Sequence, residues 1–439
     1  MVERYGLKIS KYANFKALLA AFLFVAATAQ ADGLLAPMDD KQTDHLKAYG
    51  LAYWTLQEPR SYRAEWLLNY RGGSFLLEDR PDVRSWALSR GVAVEPVTDA
   101  QIRAIKTVMA DGNMDVVTLE KAPKIAVYAP PDDSHFEDPW DDAVKMALEY
   151  AEIPYDTVWD EQVVRGEVNI ETYDWLHLHH EDFTGQHGKF YGAYRSVFWY
   201  QQRTALFQEE AKRLGFERVA EAKGKVAAEI RKYIASGGFV FAMCSAPETL
   251  DIALASEEGK VDIVAPEIDG SPIDSSFAQK LDYNETLAFE NFKLLPDPLL
   301  YEFSDIDNSD PDLYGDTGTE NFTLFEFSAK YDPIPTMLTQ CHVSRVRGFL
   351  GQTTSFRRSL LKNSVTILGD MRGTDYVKYI HGKFGKGFFT YLAGHDPEDY
   401  RHTVGEKPTD LNLHRNSPGY RLILNNVLFP AAKERPQKT

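Results

Sequence analysis

Cys244 ends the apolar run Phe239-Val240-Phe241-Ala242-Met243 and precedes Ser245-Ala246-Pro247. A strand that runs into a helix with a cysteine at the turn has the layout of a nucleophile elbow, which lifts the side chain above the sheet and needs small neighbours to close. Ala242 and Ala246 meet that need. The positive end of the helix dipole lowers a thiol's pKa at such a turn, and the N–H of Ser245 would lie beside an oxyanion. The same residues also fit a small buried cysteine that closes a core strand. A base stands downstream, where Gly387-Phe388-Phe389-Thr390-Tyr391-Leu392 leads through Ala393-Gly394 into His395, with Asp396 and Glu398 behind it. Histidine can take a thiol proton and return it to a leaving amine, and a carboxylate fixes its tautomer. A capped turn that merely hydrogen-bonds His395 is the plainer alternative.

The densest ligand-like cluster is His177, His179, His180, Glu181 and Asp182. Imidazole and carboxylate suit zinc or iron, so His179, His180 and Glu181 form a candidate metal set, although their spacing is not that of a helical His-Glu-x-x-His site. His177 and His179 share a face if this segment is a strand. Packing of His177 and capping of the next loop by residues 179–182 would explain the same residues. Arg71, in the turn Arg71-Gly72-Gly73, suits a substrate carboxylate or an ordinary surface turn. The acidic stretch 305–312 lacks the spacing of an EF-hand loop.

These residues need elements to position them. From Lys121 onward short apolar runs alternate with helical patterns, which predicts β-α-β units around a parallel sheet. Strands are expected at 124–128, 155–159, 173–178 and 239–243, with helices at 139–153, 219–235 and 247–255. His177–Asp182 then lie at the carboxyl end of a strand, where open α/β sheets bind ligands. Further strands are expected at 322–327, 364–368 and 387–392, and a last helix at 418–428. Residues 32–120 read as a helical N-terminal domain, with Thr98 or Asp99 capping a helix that carries Ile102, Ile105 and Val108 on one face. Residues 121–430 read as one α/β domain with an insertion at about 258–340.

The chain has 439 residues, 44% of them hydrophobic, enough for a large core. A net charge of −17 with no basic cluster excludes a nucleic-acid partner. Two cysteines, Cys244 and Cys341, are too few for a disulfide scaffold and leave one bridge open. Arg4, Lys8, Lys11 and Lys16, the apolar run 17–27 and Ala29-Gln30-Ala31 read as a signal peptide over 1–31, so the expected destination is periplasmic or extracellular. No transmembrane segment is expected in the mature chain.

Together, the strand-Cys-helix elbow and the strand-His-carboxylate resemble the class I glutamine amidotransferase-like superfamily, over roughly 121–257 and 340–430. That resemblance implies a flavodoxin-like core and a Cys244, His395, Glu398 triad. It also implies an oxyanion site from the Ser245 amide and the loop at Gly185. Ala242 and Ala246 stand where that family usually has glycines, and Glu398 is one residue further from the histidine. Almost the whole mature chain also resembles exported bacterial proteins labelled asparagine synthetase B. The resemblance is carried by Leu67-Leu68-Asn69-Tyr70-Arg71-Gly72-Gly73-Ser74-Phe75, residues 173–185, Phe241-Ala242-Met243-Cys244-Ser245 and Gly394-His395-Asp396-Pro397-Glu398-Asp399-Tyr400. The chain has no Ser-Gly-Gly-x-Asp-Ser loop for ATP, so the implied activity is cleavage or transfer of a side-chain amide of a small substrate, with no cofactor. The alternatives are a metal-dependent hydrolase on His179, His180 and Glu181, and a non-catalytic binding protein. Protein partners are not legible.

Overall fold

The computed structural model describes residues 32–131, 139–257, 259–307, 321–400 and 403–433, so the expected leader over 1–31 lies outside the described residues. The first region holds β1 (Gly33–Ala36), α1 (His45–Leu56), β2 (Ala64–Leu68), β3 (Ser74–Glu78), α2 (Pro81–Ser89), β4 (Glu95–Val97), α3 (Asp99–Asp111) and β5 (Asp115–Leu119). Its strands form an antiparallel sheet in the order β4-β1-β3-β2-β5. This corrects the expectation of a helical N-terminal domain. Leu34, Trp66, Leu68 and Phe75 face one core while Leu35, Leu67 and Leu76 face another. Strands buried on both faces read as unbroken apolar runs, which hides their period of two. The capping box of α3 does form, with Thr98 and Gln101 exchanging hydrogen bonds. Its buried face is Ile102 and Met109, and Val108 is exposed.

The second region continues with β6 (Ile125–Tyr128), α4 (Ala143–Ala151), β7 (Asp156–Val158), α5 (Asp160–Val164), β8 (Trp175–Leu178), α6 (Tyr191–Tyr194) and α7 (Phe198–Arg213). Next come α8 (Val219–Ser236), β9 (Phe239–Met243), α9 (Ala246–Ala255), α10 (Pro266–Asp269), α11 (Phe277–Lys280), β10 (Asn321–Leu324) and α12 (Pro333–Leu338). The chain ends through β11 (Arg345–Arg347), β12 (Phe356–Arg357), β13 (Thr366–Asp370), β14 (Tyr376–Phe384), β15 (Gly387–Leu392) and α13 (Pro418–Leu428). The large sheet is mixed. Strands β7-β6-β8-β9-β15 are parallel, and β14, β13, β10 and β11 extend the β15 edge antiparallel. The part of the insertion around β10 thus becomes sheet.

One core fills the space between the two sheets, from α1, α4 and α13 to Val127, Trp175 and Phe241. A second lies under α8 and α9 and takes Leu176, Val240 and Ala242, and the small third one is that on the outer face of the first sheet. Register puts His177 opposite Phe241 and Leu392 opposite Met243, so His179, Cys244 and His395 emerge at the same carboxyl edge. Among the described residues, no helix is long and apolar enough to cross a membrane.

Candidate functional site

The chain leaves β6 and enters α4 through Asp142, the helix N-cap, whose Oδ1 accepts from the N–H of Val144 at 2.8 Å and of Lys145 at 3.0 Å. The alternation of β8 turns His177 and His179 to the same side. There His179 Nδ1 lies 3.1 Å and His177 Nε2 3.4 Å from that same Oδ1. Burial opposes the charge of Asp142, yet the two histidines hold its carboxyl well below the usual carboxylate range. Burial pushes the pKa of His177 down, and its Nδ1 lies 3.2 Å from the carbonyl of Phe241.

His395 joins this edge from β15. Its ring stacks on His179 with centroids 4.6 Å apart, and His180 lies 4.9 Å from His179. His179, His180 and His395 each offer a ligand atom within 4.8 Å of the other two. The turn before His395 needs Gly394, at φ +94°, because a Cβ there would strike the Phe349 ring. Asp141 Oδ1 stands 3.6 Å from His395 Nε2. Burial raises the pKa of Asp141, but the facing His395 outweighs it and the net direction is down. Asp141, Asp142, His179 and His180 line a cleft of about 330 Å³ together with Trp140 and Glu181, and His395 lies buried behind them.

Cys244 adopts φ +56°, the left-handed backbone of a tight strand-to-helix turn, and its N–H donates to the carbonyl of Gly394 at 3.0 Å. The elbow expected from the sequence therefore has its backbone form. The residue is 2% exposed, and burial pushes the thiol's pKa up to about 11 although backbone N–H groups of Gln352, Ser245 and Thr353 face it. Its charged neighbours include Lys378, itself lowered to about 7 by burial. The Ser245 amide thus faces the sulfur itself. Cys244 and Cys341 are both free, which closes the question of a bridge.

Other expected site residues have different work. The Glu398 carboxylate faces Tyr400 Oη at 2.8 Å and His414 Nδ1 at 3.0 Å, and the acid that faces His395 is Asp141. Arg71 is bound by Asp39 and Glu95 on the first sheet, which leaves its fork engaged. Gly185, at φ +79°, is a packing glycine, because a Cβ there would lie 2.6 Å from the backbone of Ala220 at the start of α8. Glu181 is buried beside Lys223 and Arg203, each 3.9 Å away, so His395 takes its place in the histidine cluster. Residues 308–312 of the acidic stretch lie outside the described residues, and Asp307 caps the loop at Thr354. Sequence reasoning missed Trp140, Asp141 and Asp142. The signal was there, since two aspartates before an apolar helical run mark a helix start after the first strand.

No family model matches the chain. No curated protein matches it either. Among solved structures, it is similar to two cytoplasmic proteins from Salmonella typhimurium. One has 9% identity and a TM-score of 0.35, with 71% of this chain and 100% of that chain covered. The second has 13% identity and a TM-score of 0.34 at the same coverage. A GH42 beta-galactosidase from G. stearothermophilus is similar at 11% identity and a TM-score of 0.21, over 62% of this chain and 27% of that chain. Likeness at these scores transfers neither fold nor chemistry.

Proposed function

We propose that this chain is a metal-dependent hydrolase with His179, His180 and His395 as protein ligands. One observation carries the reading: three imidazoles from the ends of two strands offer ligand atoms within 4.8 Å of one another, and two of them, His179 and His180, line a cleft at the carboxyl edge of the sheet. Numbered along the chain, the parallel strands run 2-1-3-4-5. That is the order of flavodoxin-like sheets, in which ligands bind at the reversal between strands 1 and 3. Here those strands are β6 and β8, and the cleft is lined from both. The core expected from the amidotransferase resemblance draws its support from this order.

A zinc ion would be held by the imidazole nitrogens of His179, His180 and His395. Three imidazoles would leave a coordination position open, and the ion would supply Lewis-acid activation of a water or an amide carbonyl there. Asp141, beside His395, is placed to take a proton from an attacking water in the cleft. The substrate class is a small amide, as the resemblance implies, met outside the cytoplasm if residues 1–31 direct export. The test is metal analysis of the purified protein after dialysis. About one zinc or iron per chain is expected in wild type and a loss of it in His180→Ala and in His395→Ala, with unchanged circular dichroism. A wild-type chain that takes up no zinc, iron or manganese at micromolar concentration would sink the proposal.

A second reading, cysteine-dependent amide cleavage, is favoured by the φ of +56° at Cys244 and the amides around its sulfur. In it Cys244 attacks the amide carbonyl, His395 moves the proton and the Ser245 amide stabilises the oxyanion. It needs the loop carrying Gln352 and Thr353 to move off the thiol.

A further inference from the structure

We infer that Lys145 is the specificity residue of the cleft, placed to bind a carboxylate, so that the amide this protein takes is an anionic one with a short chain between its two ends. The inference rests on the cleft being the reacting site of the proposed function, and it adds the charge of the substrate and the residue that reads it. Helix α4 has two faces. Val144, Ala147 and Leu148 pack into the core between the sheets, while Asp142, Lys145, Met146 and Glu149 recur at three and four residues and so share the face that lines the cleft.

The charged groups of that lining differ in one respect. Asp142 takes two backbone N–H groups of α4 and faces His177 and His179, and Asp141 faces His395. Glu149 accepts from Tyr155 Oη at 2.8 Å, and Glu181 stands beside Lys223 and Arg203. Each acid has a partner of its own. Lys145 is half-buried in the same lining, yet among the described residues its ammonium makes neither an ion pair nor a hydrogen bond, although Glu149 follows it by one turn of the helix. A cleft that keeps its acids engaged and its cation open suits an anion, and lysine offers a compact point charge on a flexible stem that can meet one carboxylate. Arg71, which the sequence offers for that role, is engaged on the first sheet, and buried Lys223 is committed to Asp160 and Tyr128. Lys145 stands three residues along α4 from Asp142, about 4.5 Å of helical rise. A substrate whose amide lies at the histidines therefore reaches the lysine through only a few bonds.

The probes are glutaramate, the monoamide of glutaric acid, and its neutral diamide glutaramide, which differ by one charge and little in size. Calorimetric titration of the full-length protein as purified, with its metal content determined alongside, should show glutaramate bound about tenfold more tightly than glutaramide, the worth of one hydrogen bond between charged groups. Added salt should narrow that gap. Lys145→Gln should weaken glutaramate about tenfold and leave glutaramide within about twofold of wild type, and Lys145→Arg should keep the preference. A wild type that binds the two probes equally, or neither, overturns the inference, as does a Lys145→Gln variant that keeps the preference or loses both probes alike. A protein that holds no metal but shows the lysine-dependent preference loses the proposed centre and keeps this assignment, whereas a metal-loaded protein indifferent to Lys145 does the reverse.

Discussion

Cys244 and His395 leave adjacent strands, yet their side chains have different fates. A non-glycine residue in the left-handed region costs about 1–2 kcal/mol, which a structure holds only where its surroundings over-determine the turn. Here the Cys244 N–H is tied to Gly394, and the Ala246 N–H donates to the carbonyl of His179 at 3.1 Å, so the elbow is clamped between β15 and β8. The loop carrying Gln352 and Thr353 covers the sulfur. Its pKa of about 11 means that the thiol form dominates throughout the neutral range. Iodoacetamide at pH 7.5 should therefore label Cys341, which is partly exposed, and spare Cys244 until the chain is unfolded. Mass spectrometry of the labelled peptides reads this directly. Faster labelling of Cys244 than of Cys341 in the native protein would move the cysteine reading ahead of the metal one.

Helix α9 does more than follow the elbow. Its Asp251 carboxylate accepts the N–H groups of Leu287, Ala288 and Phe289 at 2.7–2.9 Å. Its Glu248 accepts Ser304 Oγ at 2.6 Å and Thr353 Oγ1 at 2.9 Å, so one helix pins both the insertion and the loop that covers Cys244. Burial raises Glu248 from 4.5 to about 7 against those hydrogen bonds. An acid raised in this way binds its proton more tightly folded than unfolded. Its contribution to stability is full below about pH 4.5 and is lost as pH rises through 7, a swing of order 3 kcal/mol. Glu248→Gln mimics the protonated form, so its denaturant midpoint should fall less than that of wild type between pH 4.5 and 7.5. Equal slopes for the two proteins would show that Glu248 does not titrate in that window.

At the scale of the molecule, the first sheet is fastened to the second region through helices. Gly50 of α1 lies so close to α4 that a Cβ would meet the carbonyl oxygen of Ala151 at 2.0 Å. Buried Arg421 of α13 donates to the carbonyls of Met38 at 3.0 Å and Gly72 at 2.7 Å. The segment around Arg71-Gly72-Gly73 is therefore a seam between the two sheets. Overpacking a tight helix contact costs about 1–3 kcal/mol, so Gly50→Ala should lower the unfolding free energy by that amount and the denaturant midpoint in proportion. A midpoint equal to wild type would mean that α1 and α4 separate at no cost.

What the sequence determined by itself is local. The apolar strand into Cys244 and the α9 that follows it, the shared face of His177 and His179, the Thr98 cap and the Pro418–Leu428 helix are all set by periods and end residues within a few positions. Tertiary structure decided the partnerships. Asp141 meets His395, and Asp142 meets His179, because the order β6-β8-β9-β15 brings the ends of distant strands to one edge, and no spacing along the chain encodes that order. Glu398, only three residues from His395, turns instead to Tyr400 and His414. The first sheet escaped detection because its strands are covered on both faces, and the burial of the Cys244 thiol depends on a loop more than a hundred residues away.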